Sequence, residues 1–316
     1  MSDPLLVARG ARIAVDDVVT VQGLDLETRG HLLIVAGDAS SLLSTLTSIP
    51  LGAFSAAVRA ETEQELVPVR GRCRAVGGEL RLLGRDVLAG EHAAIIGAAP
   101  YEAPVPLDVA LATHLEQQAR LAIAARGERV RSSEVKRQVD RALELALLTQ
   151  ARKRPLRTLS TGERRLASLA GALAGDPPVL VIEHPFAGLD AQGAEIVARA
   201  LLAGCKARGA IVSVARLEPG TPEGAFAQRA SDVAIFDRGE LVSHVEPPSL
   251  LKPGRRFRVT VRTNAEALRA ELEQRGAVVE GRAAQLLVQL PEGDTGSAVL
   301  VAANAVRAAV VEVIAV

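Results

Sequence analysis

The stretch from Leu159 to Asp190 constrains the fold more than any other part of the chain. Leu159-Ser160-Thr161-Gly162-Glu163 opens the run RRLASLAGALAG, whose apolar residues recur with helical spacing. Ser160 and Glu163 form a capping box, in which hydroxyl and carboxylate each satisfy a free backbone N–H at the helix start. Val179-Leu180-Val181-Ile182 follows as a continuous apolar run, as expected of a strand buried on both faces. It ends in Glu183-His184-Pro185-Phe186-Ala187-Gly188-Leu189-Asp190, with proline and glycine marking a turn. A helix that feeds a buried strand implies a parallel sheet with crossover helices.

The same grammar extends outward. Residues 5–27 alternate apolar and polar side chains, and VARGARIAV and VVTVQGLDL read as antiparallel edge strands. His31–Ala36 reads as a buried strand. It ends in Gly37-Asp38-Ala39-Ser40-Ser41 and runs into a helix starting at Leu42, which is the frame of a phosphate-binding loop. Residues 53–75 read as an insertion, GELRLLGRDV from Gly78 as short strands around a turn, and Ala93–Ala99 as another buried strand. Residues 107–126 and 132–149 have helical periodicity, which gives a helical subdomain over roughly 103–160. Ile211–Val214 is a further core strand. After Pro247-Pro248 and Pro253-Gly254, the elements run βαββαβ, the order of a small ferredoxin-like domain. The expected organisation is an α/β domain at 1–250 and a small α+β domain at 255–316.

Composition removes some functions. The 37 basic and 37 acidic residues cancel, so no net field favours nucleic acid or an anionic membrane. Aromatics at 2% leave little for stacking platforms. Cys73 and Cys205 stand far apart, and the histidines show no ligand spacing, so neither disulfides nor a metal cluster is expected. The first residues lack the pattern of a signal peptide, and residues 31–52 and 298–316 are too interrupted for membrane spans. The expected location is the cytoplasm.

Taken together, LSTGE, VLVIEHP and AGLD resemble the ATP-binding-cassette (ABC) ATPase family, over roughly residues 5–250. LSTGE is similar to the signature motif, VLVIEHP to the Walker B strand and AGLD to the D-loop. GGELRLLGRDV and SDVAIFDRGELV are similar to further strand pairs of that fold. The C-terminal segment resembles a small domain appended to ATPase subunits of some bacterial exporters. The resemblance implies an ABC nucleotide-binding fold with an antiparallel edge sheet, a parallel core sheet and a helical subdomain. It also implies an integral membrane permease as partner and a place at the inner face of the cell membrane.

The departures from the family pattern decide the expected function. The family's loop reads G-x-x-x-x-G-K-[ST], because glycines let backbone N–H groups wrap phosphate while the lysine meets its charge. Here the positions run from Gly37 to Thr45, with Leu42 for the second glycine and Leu43 for the lysine. A lysine about 4 Å from one phosphate charge is worth on the order of 4 kcal/mol at an effective dielectric near 20. Micromolar affinity totals only about 8 kcal/mol. Ser44 and Thr45 remain as hydroxyls, with Ser44 and Glu183 the possible magnesium positions.

Glu183 and His184 stand where the family has its Walker B aspartate and catalytic glutamate. Tyr101 falls at the Q-loop glutamine and Ala215 at the switch histidine. His184 is expected to be a satisfied, partly buried polar group, and Tyr101 either to pack or to touch a membrane partner. Hydrolysis at this loop is not expected, and aspartate at Leu43 should change little in the ATPase activity of a reconstituted pair. What survives is the trans-acting set: Ser160, Gly162 and Glu163 of the signature, and Asp190 of the D-loop. The resemblance therefore implies a degenerate cassette paired with a competent one, with no tightly bound cofactor of its own and Mg-ATP only at the shared composite site. The competing readings are a nucleotide-independent scaffold on membrane subunits, and an ATPase with an unconventional loop.

Overall fold

The computed structural model describes residues 3–49, 71–101, 106–215, 217, 220–237, 239–245, 247, 256–282, 284–291 and 294–315. The first hairpin is β1 (Leu6–Val15) with β2 (Val18–Glu27). With β4 (Cys73–Leu82) and β5 (Arg85–Asp86) it makes an antiparallel sheet in the order β2-β1-β4-β5. The second sheet has the order β10-β9-β3-β8-β7-β6. Its strands are β3 (Leu32–Gly37), β6 (Ile96–Ala99), β7 (Val179–Glu183), β8 (Gly209–Val214), β9 (Asp232–Asp237) and β10 (Glu240–Val245). All its pairs are parallel except the β9–β10 hairpin.

Alternation along the central strands builds two cores. Leu33 and Val35, Val179 and Val181, and Ile211 face the antiparallel sheet and α1 (Ser40–Thr47). Leu32 and Ile34, Leu180 and Ile182, and Val212 face the helices on the other side. Those helices are α2 (Leu111–Ala125), α3 (Ser132–Leu145), α4 (Thr161–Leu173), α5 (Ala191–Cys205) and the short α6 (Pro222–Ala227). The apolar runs read as doubly buried strands are therefore the middle layer. Every residue of β7 and β8 is buried.

The C-terminal part has its own core, around Phe257, Val259, Leu268, Leu286, Val288 and Val299. It comprises β11 (Arg256–Thr263), α7 (Ala265–Gln274), β12 (Val278–Arg282), β13 (Gln285–Gln289), α8 (Gly296–Ala305) and β14 (Ala309–Ala315). The sheet order β12-β13-β11-β14 is antiparallel throughout, the arrangement that the βαββαβ order calls for. Among the described residues, polar contacts join it to the hairpin of the larger sheet. Ser243 Oγ donates to Glu280 at 2.6 Å, and Arg258 pairs with Asp237 at 2.8 Å.

Three local expectations change. Strand β4 begins at Cys73, so the end of the expected insertion is strand, and residues 53–70 lie outside the described ones. Ala93–Ile95 is a 3-10 turn, and only Ile96–Ala99 is strand, because the extended run begins where pairing with Val179 starts. Helix α1 begins at Ser40, two residues before the expected start.

Candidate functional site

The loop after β3 departs furthest from a phosphate cradle. Gly37 sits at φ +82°, and a Cβ there would lie 2.0 Å from the Phe236 carbonyl oxygen, so the neighbouring strand alone demands glycine. Helix α1 takes up Ser40 and Ser41, residues that stand before the helix in the expected phosphate loop. The Leu43 N–H donates to the Ala39 carbonyl at 3.0 Å as the first intrahelical bond. The Ser40 N–H donates to the Asp38 carboxylate at 3.3 Å, so a side-chain anion already serves the helix start.

Leu42 and Leu43 are 1% and 2% exposed and pack into the core between the sheets. Each gains about 1.5–3 kcal/mol from that burial. In the sequence these leucines replace the second glycine and the lysine; in the fold they are core residues of the helix. The hydroxyls are turned inward too. Ser44 Oγ donates to the Ile49 carbonyl, and Thr45 Oγ1 donates to the Ser41 carbonyl at 2.8 Å. Neither hydroxyl is presented to solvent: Ser44 is 1% exposed and Thr45 5%. The residues present do not fit Mg-ATP at this loop.

Glu183 and Tyr101, far apart in sequence, meet. The Glu183 carboxylate, at the end of β7, accepts the Tyr101 N–H at 2.8 Å. Arg165, on α4, lies over the Tyr101 ring with its guanidinium carbon 3.6 Å from the ring centre. The same guanidinium donates to the Tyr101 carbonyl and, at 3.4 Å, to the Ala187 carbonyl in the turn after β7. Ser168 Oγ donates to the Pro100 carbonyl at 3.0 Å. Arg165 and Ser168 were not singled out from the sequence. The available signal was position, since both lie within one turn of Leu169 and are half-buried at the margin of the face that α4 buries.

His184 departs from its expectation. It is 4% exposed with φ +40°, and its Nδ1 is buried with no hydrogen-bond partner among the described residues. Its main chain is satisfied: the N–H donates to the Ser213 carbonyl at 3.1 Å and the Ser213 hydroxyl at 3.2 Å, and the carbonyl accepts the Ala187 N–H at 3.2 Å. Burial pushes the imidazole pKa down to about 4, and the Arg165 charge adds to that, so the ring is neutral. Ala215, at the end of β8, is buried and offers no polar group. Among the described residues, no group of His, Cys, Asp and Glu side chains is placed to hold a metal ion.

The signature loop is the opposite case. The Ser160 Oγ accepts the Glu163 N–H at 3.3 Å, and the Glu163 carboxylate accepts the Ser160 N–H at 2.8 Å, completing the capping box. That N–H and the nearby Arg154 guanidinium hold the Glu163 carboxyl below its usual range, despite some burial. Ser160 is exposed, and a Cβ on Gly162 would meet nothing closer than 3.9 Å. Asp190 is exposed and caps α5, accepting the Gly193 N–H at 2.7 Å.

A cleft of about 740 Å³ runs beside the Tyr101 junction, lined by β6, α2 and α4. Tyr101, His114 and Arg165 line it together with Leu107 and Leu121, which are 53% and 66% exposed. No helix of the described residues is long and apolar enough to cross a membrane.

No protein-family model matches the chain. The chain is 39% identical over 77 residues to the cobalt import ATP-binding protein CbiO of Rhodobacter capsulatus, covering 24% of this chain and 27% of that protein. It is 29% identical over 173 residues to the Nod factor export ATP-binding protein I of Azorhizobium caulinodans, covering 54% of this chain and 47% of that protein. The chain thus spans less than half the length of these curated relatives. Among solved structures, cbiO1 of Clostridium perfringens, part of an ABC transporter complex, superposes with a TM-score of 0.57 at 17% identity. That superposition covers 78% of this chain and 90% of the other. The two sheets, the helical layer and these likenesses give one answer: the chain has the ATP-binding-cassette fold, and its relatives are ATP-binding subunits of ABC transporters.

Proposed function

We propose that this chain is a cassette subunit of a bacterial ABC transporter that has lost its own nucleotide site and works beside a competent cassette. The observation that carries the reading is helix α1, which starts at Ser40 and buries Leu42 and Leu43 at the positions of the family's second glycine and lysine. The signature loop supports the second half, because Ser160 and Gly162 stand at an exposed, already capped helix start. There they suit the γ-phosphate of ATP held by a second chain, and Asp190 would lie at the same interface. A membrane permease is the partner for the cleft beside Tyr101, whose exposed Leu107 and Leu121 offer it apolar contact. On this reading the chain works at the cytoplasmic face of the membrane. The βαββαβ order of residues 256–315 supports an exporter and a second domain separate from residues 1–250.

Isothermal titration calorimetry of the isolated chain with Mg-ATP tests the lost site. No heat of binding is expected at micromolar concentrations. A dissociation constant of about 10 micromolar or below, near −7 kcal/mol, would overturn the reading. A second reading, a scaffold that needs no nucleotide at all, is favoured by the engagement of Glu183 with the Tyr101 N–H.

A further inference from the structure

The segment Pro100–Tyr101 is the chain's exit from the parallel sheet toward the helical subdomain, directly after β6 and before α2. A connection of this kind normally leaves polar backbone groups to water and so is free to pivot. Here three successive backbone groups are taken by side chains. The Pro100 carbonyl accepts from Ser168, the Tyr101 N–H donates to Glu183, and the Tyr101 carbonyl accepts from Arg165. Arg165 also covers the Tyr101 ring and reaches the Ala187 carbonyl in the turn after β7. One side chain from α4 thus holds both the exit from β6 and the exit from β7.

We propose that Arg165 clamps the junction between sheet and helical subdomain in one position that nucleotide does not alter, so that the cleft beside Tyr101 keeps a single shape. Arginine suits the task because its planar fork serves two carbonyls while its face stacks on a ring, which lysine cannot do at once. Glu183 completes the clamp from the other side. At a working magnesium site its carboxylate would be exchanging between ion and protein; here it is engaged by a main-chain N–H. The proposal rests on the reading that the loop at 37–45 takes no nucleotide. Its functional meaning is a static seat for a membrane partner, against which a moving cassette works.

Hydrogen–deuterium exchange of the full chain, read by mass spectrometry with and without millimolar Mg-ATP, tests it. In the native protein, exchange at 96–101 and 183–189 is expected to be slow and unchanged by Mg-ATP. Arg165→Ala should raise it about tenfold or more, as expected when a stacked, charge-assisted contact set is removed. Arg165→Lys and Tyr101→Leu should move it in the same direction by less, and they serve if the alanine variant does not fold. Unchanged exchange at 96–101 in the folded variants would overturn the clamp. So would slowing of 96–101 by Mg-ATP while 37–45 stays unaffected. Protection of 37–45 itself by Mg-ATP would instead overturn the lost-site reading beneath it.

Discussion

Ser160 and Glu163 cap one another across the first turn of α4, each side chain bonded to the other's main-chain N–H at 3.3 and 2.8 Å. This pair does a local job whatever the loop does for a partner, and the two roles separate in measurement. Ser160→Arg removes the cap, costing about 1 kcal/mol, and lowers the melting temperature by a few degrees. If the loop also closes a partner's ATP, Ser160→Arg and Gly162→Asp should abolish the ATPase activity of the reconstituted pair. Turnover per folded complex near the native value in Ser160→Arg would leave only the cap.

Leu43 gives the second test. Read from sequence alone, an aspartate there is silent, since the loop is already dead. The structure reverses that expectation, because Leu43 is 2% exposed within the core between the sheets. Leu43→Asp should cost about 3–5 kcal/mol and leave little folded protein, whereas Leu43→Met should cost less than about 1.5 kcal/mol. Thermal melts of the two variants decide it, and a native-like Leu43→Asp would contradict the burial.

His184 predicts a pH dependence. Its folded pKa of about 4 lies below the ordinary 6.5, so the unfolded chain binds the extra proton between those values. Its stabilising contribution is complete above pH 6.5 and is lost as pH falls toward 4, amounting to about 3 kcal/mol. Asparagine tolerates the left-handed backbone at φ +40° and does not titrate. His184→Asn should therefore flatten the slope of urea stability against pH across that window. An unchanged slope would assign the acid sensitivity to other groups.

The proline-rich connection before β11 predicts a cleavage site. Limited proteolysis should cut between residues 247 and 255 and leave two stable fragments, since each side has its own core. The contacts Arg258–Asp237 and Ser243–Glu280 should keep the fragments together on gel filtration. Arg258→Ala should loosen them. Degradation of residues 256–316 without a stable fragment would refute a second folding unit.

The fold was legible because its signals are local. Val179–Ile182 and Ile211–Val214 are apolar without interruption, and both form fully buried strands. The C-terminal element order likewise appears in the strand order β12-β13-β11-β14. The site was less legible. That Leu42 and Leu43 are missing motif residues can be read in one dimension, but not that they belong to the core. The meeting of Tyr101 with Arg165 and Glu183 depends on which chain ends the sheet brings side by side. An arginine within a helical run reads as a solvated charge until its neighbours are known.

Gly37 illustrates how a motif can keep a letter for reasons outside its chemistry. The Phe236 carbonyl excludes any side chain there, so the adjoining strand alone bars mutation, whether or not an anion binds. A pattern search that credits this glycine toward phosphate chemistry is counting sheet architecture. In this chain the glycine at 37 is accounted for by strand packing, and by itself says nothing about catalysis.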